Sequence, residues 1–528
     1  MTIDSLTGGF DACRCCLSRR RFLAGCGACS ASTLALPGAV TKAADKAAAA
    51  ERGDRPRVRV VFACWALVQD RPTWPNIGHD MRPEIERVTK ALQQGCPEVE
   101  FLPEAAHSPE DADRILAKHD ADRIDGYIVY QMNNWIQVFP RIVASGRPTI
   151  VADFSFAGSG GFLLYTAGLR EKHASFSVVS SRRLDDLVAA ARCFTLLTTE
   201  GVKGFVAACD RLRKEQTPPY CNVAIEDDRP ALRTPAQCLE ALRKSVVLSL
   251  GGGNKAVAQA LGKRFGITVK FIAFDELAEA SAQADAEQVA AVASRWKTSA
   301  KKIEIDRPDE TLLKSARNYL GQRTLLQRYN AEAITINCLG GFYSGKLNAY
   351  PCLAFVELLN EGLIGACEAD LLSTGTMVAM RHLAGRPGFI SDPVLDTSTR
   401  QIIYAHCVAM TKPFGPGGSL CNYEILTHSE DRRGASVRSY LPTGYRVSTM
   451  EIHPVRKEIL FHVGRAAENV LEDRACRTKL ACEVEGDFEK LFTFWHKYGW
   501  HRVSFYGDLR EPVKELAQVI GFQFVDEA

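Results

Sequence analysis

The chain has 528 residues, 46% of them hydrophobic and 24% charged, with a formal charge of +3. That length predicts about three domains of roughly 150 residues each, and the composition is ordinary for a globular protein. With no basic run beyond the N-terminus, nucleic acid is excluded as an expected partner, and no later stretch offers the roughly 18 consecutive apolar residues of a membrane span.

Near the N-terminus, CLSRRRFLAGCGACSASTLALPGAVTKAA sets Arg19, Arg20 and Arg21 ahead of Phe22 and Leu23, followed by a weakly apolar stretch of small residues. This resembles a twin-arginine export signal, a receptor-read address rather than part of the fold. It predicts a periplasmic protein, free of the membrane once the signal is removed, with residues 1–50 as signal and linker and cleavage within 39–50. Leu23-Ala24-Gly25-Cys26 also matches a lipoprotein box, but only Phe22 separates it from the arginines, too little apolar chain to engage a membrane. Of 18 cysteines, five (Cys13, Cys15, Cys16, Cys26 and Cys29) fall in or before the signal. The rest form no CxxC pair, which argues against a zinc ribbon or thioredoxin-like site. Those in apolar runs such as VVFACWALV are expected as buried thiols, with a few disulfides after export left open.

In residues 55–170, strand-like RVRVVFACWAL is followed by helical MRPEIERVTKALQQG, strand EVEFLP, helix PEDADRILAKHDA, strand DGYIVYQM, a short amphipathic stretch and strand RPTIVADF. Strands alternating with helices predict a parallel sheet covered on both faces. The pattern repeats over 171–340: helix LDDLVAAARCFTLLTTEG, strand VKGFVAAC, helix TPAQCLEALRKS, strand VVLSLGGG, helix NKAVAQALGKRFG, strand ITVKFIAF, a long helix pair over 275–329 and strand AEAITINC. Gly251, Gly252 and Gly253 complete neither GxGxxG nor GxxxxGK, so they read as a tight turn rather than a phosphate loop. In the third region, 341–528, segments from Ser391 onward such as RQIIYAHCVAM and KEILFHVGRA are short, β-rich and bounded by Gly, Pro and Asp, predicting a small antiparallel sheet or barrel. EPVKELAQVIGFQFVD closes the chain as helix and strand.

The residues able to carry chemistry centre on ACEADLLSTGTMVAMRHLAGRP, residues 366–387, where Glu368 and Asp370 precede an apolar helix. Carboxylates there suit a hard divalent ion, and a helix N-terminus favours their charge. Asp370 could equally cap the helix with no metal. His406, in an apolar strand, and His501, after Trp500, are imidazoles that would suit manganese or another borderline metal. His496 and His453 are weaker candidates, and His382 is expected to face away from the acids. Three segments offer sugar contacts: QMNNWIQ with Asn134 and Trp135, DFSFAGSGGFLLYTA after a strand end, and LGGFYSGKLNAYP with Tyr343.

Residues 351–393, PCLAFVELLNEGLIGACEADLLSTGTMVAMRHLAGRPGFISDP, together with the His406-Cys407 pair and GWHRVSFYGDLRE, resemble the L-fucose and L-arabinose isomerase-like superfamily. The resemblance implies an α/β fold of two Rossmann-like layers followed by a C-terminal β-barrel-like domain, assembled as a trimer or hexamer. It implies aldose–ketose isomerisation of a small-molecule sugar with a divalent metal, usually manganese. By position, Glu368 and Asp370 would be the acidic ligands and catalytic groups, His501 the C-terminal metal histidine and His406 an additional ligand. The family's first acid, ligand and base at once, would lie just after Cys338, yet LGGFYSGKLNAYP contains neither Asp nor Glu. Another acid (Asp392, Glu424 or Glu357) could enter the site, Tyr343 could take over proton transfer, or isomerisation could be lost. Glu357 is the least favoured, since its helical position reads as solvent-facing. The alternatives are a non-catalytic periplasmic carbohydrate-binding protein and another metal-assisted reaction on sugars.

Overall fold

The computed structural model describes residues 55–221 and 223–528. The export signal and cleavage region expected at residues 1–50 lie outside the described residues. Three layers follow one another along the chain, and the candidate site forms where the second meets the third.

The first layer contains β1 (Arg57–Ala63), α1 (Arg82–Gly95), β2 (Glu100–Ala106), α2 (Pro109–Ala117), β3 (Gly126–Gln131), α3 (Val138–Ala144), β4 (Thr149–Asp153), α4 (Ser159–Arg170), β5 (Phe176–Val179), α5 (Leu184–Ala191) and α6 (Leu197–Gln216). Its five strands run parallel in the order β2-β1-β3-β4-β5. Every residue of β3 and β4 is buried, as expected of central strands with helices on both faces. Two expectations are corrected here. VKGFVAAC is not a strand but part of α6: its buried Phe205, Ala208 and Cys209 recur at helical spacing, while Val202 is exposed. In DFSFAGSGGFLLYTA, expected as a loop, Asp153 still belongs to β4 and the loop from Phe154 ends at Gly158, after which α4 begins. The start of α4 packs so close to Asn134 that a Cβ on Gly160 would lie 2.6 Å from Asn134 Nδ2.

The second layer contains α7 (Pro235–Leu242), β6 (Val246–Leu250), α8 (Lys255–Phe265), β7 (Thr268–Ile272), α9 (Phe274–Ala282), α10 (Ala286–Ser299), β8 (Lys302–Glu304), α11 (Pro308–Arg328), β9 (Ala333–Ile336), α12 (Cys338–Tyr343), α13 (Cys352–Asn360), β10 (Ile364–Cys367) and α14 (Leu371–Ala384). Its parallel sheet has the order β10-β9-β6-β7, so its edge strand comes from beyond residue 340. The expected helix pair is three helices, interrupted where β8 leaves to pair with a later strand. Gly251, Gly252 and Gly253 have φ of 75°, 142° and 127°, so the turn after β6 needs residues without a Cβ.

The third layer holds β11 (Phe389–Asp396), β12 (Gln401–His406), β13 (Tyr423–Leu426), β14 (Ser436–Ser439), β15 (Arg446–His453), β16 (Glu458–Asn469), β17 (Thr478–Val484), α15 (Leu491–Phe494), β18 (Arg502–Tyr506), α16 (Arg510–Ile520) and β19 (Gln523–Asp526). Strands in the order β15-β18-β11-β12-β17-β16 are antiparallel, and β15 pairs with β16 to close a six-stranded barrel. Closure leaves no free edge among these six. Inside, Arg502 and Glu527 are fully buried and bonded at 2.8 Å, with the guanidinium 3.9 Å from the Trp495 ring centre. Every described cysteine is a free thiol, most of them buried. Among the described residues no helix is long and apolar enough to cross a membrane.

Candidate metal centre

Strand pairing brings the barrel's contribution together. β11 lies between β12, which ends at His406, and β18, which begins just after His501. Asp392 of β11 faces Ala405 and Ser391 faces Arg502, so Asp392 stands between the two histidines at one end of the barrel. The fourth group arrives from the second layer. β10 ends at Cys367, and Glu368 and Ala369 follow with φ of 64° and 52° before α14 starts. Two consecutive left-handed residues with side chains are costly, and here they turn the chain so that Glu368 reaches the barrel end.

The distances describe a ring around one point. His501 Nε2 lies 3.7 Å from Glu368 Oε2 and 3.6 Å from Asp392 Oδ1. His406 Nε2 lies 3.7 Å from Glu368 Oε1 and 4.0 Å from Asp392 Oδ2. These separations are too long for hydrogen bonds, and His501 Nε2, both ring nitrogens of His406 and Asp392 Oδ1 are buried without a partner. Buried polar atoms are otherwise almost always bonded. Glu368, His406 and His501 offer ligand atoms all within 4.8 Å of one another, a triad able to hold a metal ion. The orphaned nitrogens and carboxylate oxygen therefore fit a cation at their centre.

Asp370 has a different place. Its Oδ1 accepts from the backbone N–H groups of Leu372 and Ser373 at 2.9 and 3.2 Å, capping α14. Its Oδ2 accepts from His501 Nδ1 at 2.9 Å. A carboxylate that takes one ring N–H of a histidine aims the other nitrogen and fixes its tautomer. Both readings of the acid pair thus apply, divided between its members: Asp370 caps and orients, and Glu368 enters the ring.

Charge coupling follows the geometry. Burial pushes the Glu368 carboxyl up, but His406 and the charges of His501 and His406 outweigh it, and the net shift is downward. Burial likewise opposes ionisation of Asp370, outweighed by His501 and Ser373. At Asp392 burial wins over the two imidazoles, and the carboxyl ends above its usual range. His501 is driven up to about 10: burial opposes the proton, yet Asp370, Asp392 and Glu368 together favour it.

The candidate replacement acids separate cleanly. Asp392 is in the ring. Glu424 is held by Arg438 at 3.2 Å and Tyr440 at 2.7 Å, away from it. Glu357 is buried rather than solvent-facing, accepting from Trp296 Nε1 at 2.7 Å and Arg295 at 2.9 Å, because α13 packs into the core on that side. After β9, a Cβ at Gly341 would lie within 2.8 Å of the Phe274 ring, so a larger residue there would force that ring to move. The Cys338 thiol lines the site instead, 3.8 Å from the Cys367 sulfur.

The enclosed space beside the ring is about 30 Å³, and Glu430, His428 and the Cys407 and Cys476 thiols also line it. That is room for an ion or a water. Glu430 Oε2 accepts from the Tyr343 hydroxyl at 3.0 Å, and burial with the nearby Glu368 charge pushes its carboxyl well above the usual range. Neither Glu430 nor His428 carries a sequence signal, since both lie in the connection between β13 and β14. Tyr343 is 41% exposed at the surface next to this wall. Trp135 stacks on Trp500 with ring centres 4.4 Å apart, one residue from His501. Asn134 is buried and structural: its Oδ1 accepts from Gly161 N–H at 3.3 Å and its carbonyl accepts from Trp65 Nε1 at 3.1 Å. His382 bonds Glu332 at 2.9 Å, away from the ring.

No protein-family profile matches the chain. It is 24% identical over 235 residues to the sulfoquinovose isomerases of Priestia aryabhattai and Priestia megaterium, a match that covers 42% of this chain and 50% of each of them. The sulfoquinovose isomerase of Alkalicoccus urumqiensis matches at 27% over 109 residues, 20% of this chain and 24% of that one. The chain thus spans about half the length of the first curated relatives it matches. Among solved structures, a sugar ABC transporter protein from Yersinia enterocolitica aligns at 13% identity, covering 58% of this chain and 69% of that one with a TM-score of 0.16, too low to carry an argument. In sequence, then, this chain is similar to sugar isomerases.

Proposed function

We propose that the protein is a metal-dependent aldose–ketose isomerase acting on a monosaccharide at the Glu368–Asp392–His406–His501 ring. The single observation that carries this reading is the convergence on one point of the buried, unpartnered His406, His501 and Asp392 atoms of the barrel with the Glu368 carboxylate of the second layer. Two nitrogens and two carboxylates suit a borderline divalent cation such as manganese. When bound, it would stabilise the negative charge that develops on the sugar oxygens as a hydrogen moves between C1 and C2. Asp370 keeps His501 aimed, and the stacked indoles of Trp135 and Trp500 offer an apolar edge beside it. The Tyr343–Glu430 pair holds a proton on the wall of the site and would fill the acid–base role for which the segment after Cys338 has no carboxylate. We place the protein in the periplasm, delivered folded by the twin-arginine route, as a trimer or hexamer.

The test is to measure bound metal in the full chain together with exchange of the sugar C2 hydrogen with deuterium. The panel contains pentoses, hexoses, 6-deoxyhexoses and sulfoquinovose, the sugar named in the relatives. Exchange that disappears with the metal supports the isomerase. Sugar binding without exchange on any of them overturns it in favour of a carbohydrate-binding protein, the second reading, which the acid-free segment after Cys338 favours. Epimerised product without ketose would instead identify another metal-assisted reaction.

A further inference from the structure

A second cavity shares no lining residue with the metal centre. Its volume is about 330 Å³, within the roughly 300–1,000 Å³ of small-molecule pockets. One wall is the carboxyl ends of β4 and β5, the edge on which parallel sheets bind ligands. The other is the connection between barrel strands β16 and β17, with Leu471 and Arg474.

Two buried side chains in the lining of this cavity each carry an atom with an unmet hydrogen-bonding need. Asp153 is 4% and Ser155 8% exposed. Asp153 Oδ2 accepts from Ser159 Oγ at 2.6 Å, whereas Asp153 Oδ1 and Ser155 Oγ have no partner. Leaving such atoms unpaired is costly, so a pocket that keeps them suits a ligand that supplies donors. Phe156, next to Ser155, adopts φ of 65°, strain of the kind the surrounding structure holds at binding loops.

Around these acceptors stand Arg87, Arg182, Arg183 and Arg474. Acids already order them: Arg182 Nε lies 2.7 Å from Asp396 Oδ2, and Arg474 Nη2 lies 2.8 Å from Glu472 Oε2 with its guanidinium 4.5 Å from the Phe154 ring centre. Pre-ordered guanidinium groups recognise planar or tetrahedral anions through their remaining N–H groups. The almost fully buried Phe154 and Phe156 complete the lining with aromatic carbon. Donor-poor buried oxygens, aromatic rings and a rim of arginine together match a polyhydroxylated ring bearing a negative charge.

We propose that this cavity is a separate binding site for an anionic monosaccharide, a hexose-sized sugar with a carboxylate or phosphate. Its hydroxyls donate to Asp153 and Ser155, and its charged group rests on the arginines. The test is calorimetric titration of the full chain with D-glucuronate, D-glucose 6-phosphate, D-glucose and inorganic phosphate. At least one anionic sugar is expected to bind tenfold or more tightly than both glucose and inorganic phosphate, and which one does so identifies the anion. Asp153→Asn and Ser155→Ala should each weaken that binding, about tenfold for the first. Arg474→Gln should bring the anionic sugar close to glucose, and chelating the metal should leave the affinity unchanged. The proposal is overturned by equal affinity for glucose or inorganic phosphate, by binding of none of the four, by wild-type affinity in both the Asp153 and Ser155 variants, or by loss of binding on chelation.

Discussion

The candidate metal centre and the Asp153 cavity both lie where a parallel sheet meets the barrel, yet their unpaired atoms have different surroundings. In the first, the orphaned nitrogens of His406 and His501 face the Glu368 and Asp392 carboxylates at 3.6 to 4.0 Å beside a space of about 30 Å³. In the second, a lone carboxylate oxygen and a hydroxyl belong to residues in the wall of a space of about 330 Å³, and the neighbouring arginines already hold acids. Orphans that converge call for something small and positive; orphans that line a space call for something with hydroxyls.

The largest expected effect is on the convergent site. His501→Ala removes one ring member at the centre of the coupling, and bound divalent metal, measured by elemental analysis after dialysis, should fall below a tenth of the wild-type content while the Asp153 cavity keeps its ligand. Retained metal would dissolve the contrast. Next comes the support behind His501. Glu527→Gln strips the fully buried Arg502 of its counter-charge, a change worth about 3–5 kcal/mol, to be read by chemical denaturation; because Arg502 follows His501 directly, metal content should fall with it.

A third measurement sharpens the other side. Burial pushes the Asp153 carboxyl up to about 7. Below pH ~4 both folded and unfolded chains carry this proton; as pH rises toward 7 the unfolded chain releases it and the folded chain does not. Stability therefore declines across that window, by at most about 4 kcal/mol, and Asp153→Asn should flatten this part of the stability–pH curve. Smallest is Asp370→Asn, which leaves the ring members in place but loosens the aim of His501. Metal affinity should drop about 10- to 100-fold, with the ion still bound at millimolar supply.

Some of the site was legible in the residues. Glu368 and Asp370 stood out as acids ahead of a helix, His406 as an imidazole in an apolar strand and His501 as one following Trp500. Which acid would cap and which would enter the ring was not readable, because it depends on the left-handed φ of Glu368 and Ala369, a conformation no local propensity predicts for these residue types. Asp392 was one of three acids in view, and only strand pairing selects it. Glu430 was missed for want of any periodic context. VKGFVAAC was misread because a short apolar run satisfies strand and buried helix alike, and its spacing becomes decisive only when its burial is known.

Sequence alone determined the alternation of strand and helix in the first two layers and the β-rich character of the third, since each element's face is written in its own periodicity. Tertiary structure alone decided that residues 131 positions apart, Asp370 and His501, would touch at 2.9 Å. That contact exists because the barrel closes and its end meets the carboxyl edge of a sheet, and closure depends on pairings between distant strands that no local window of the chain contains.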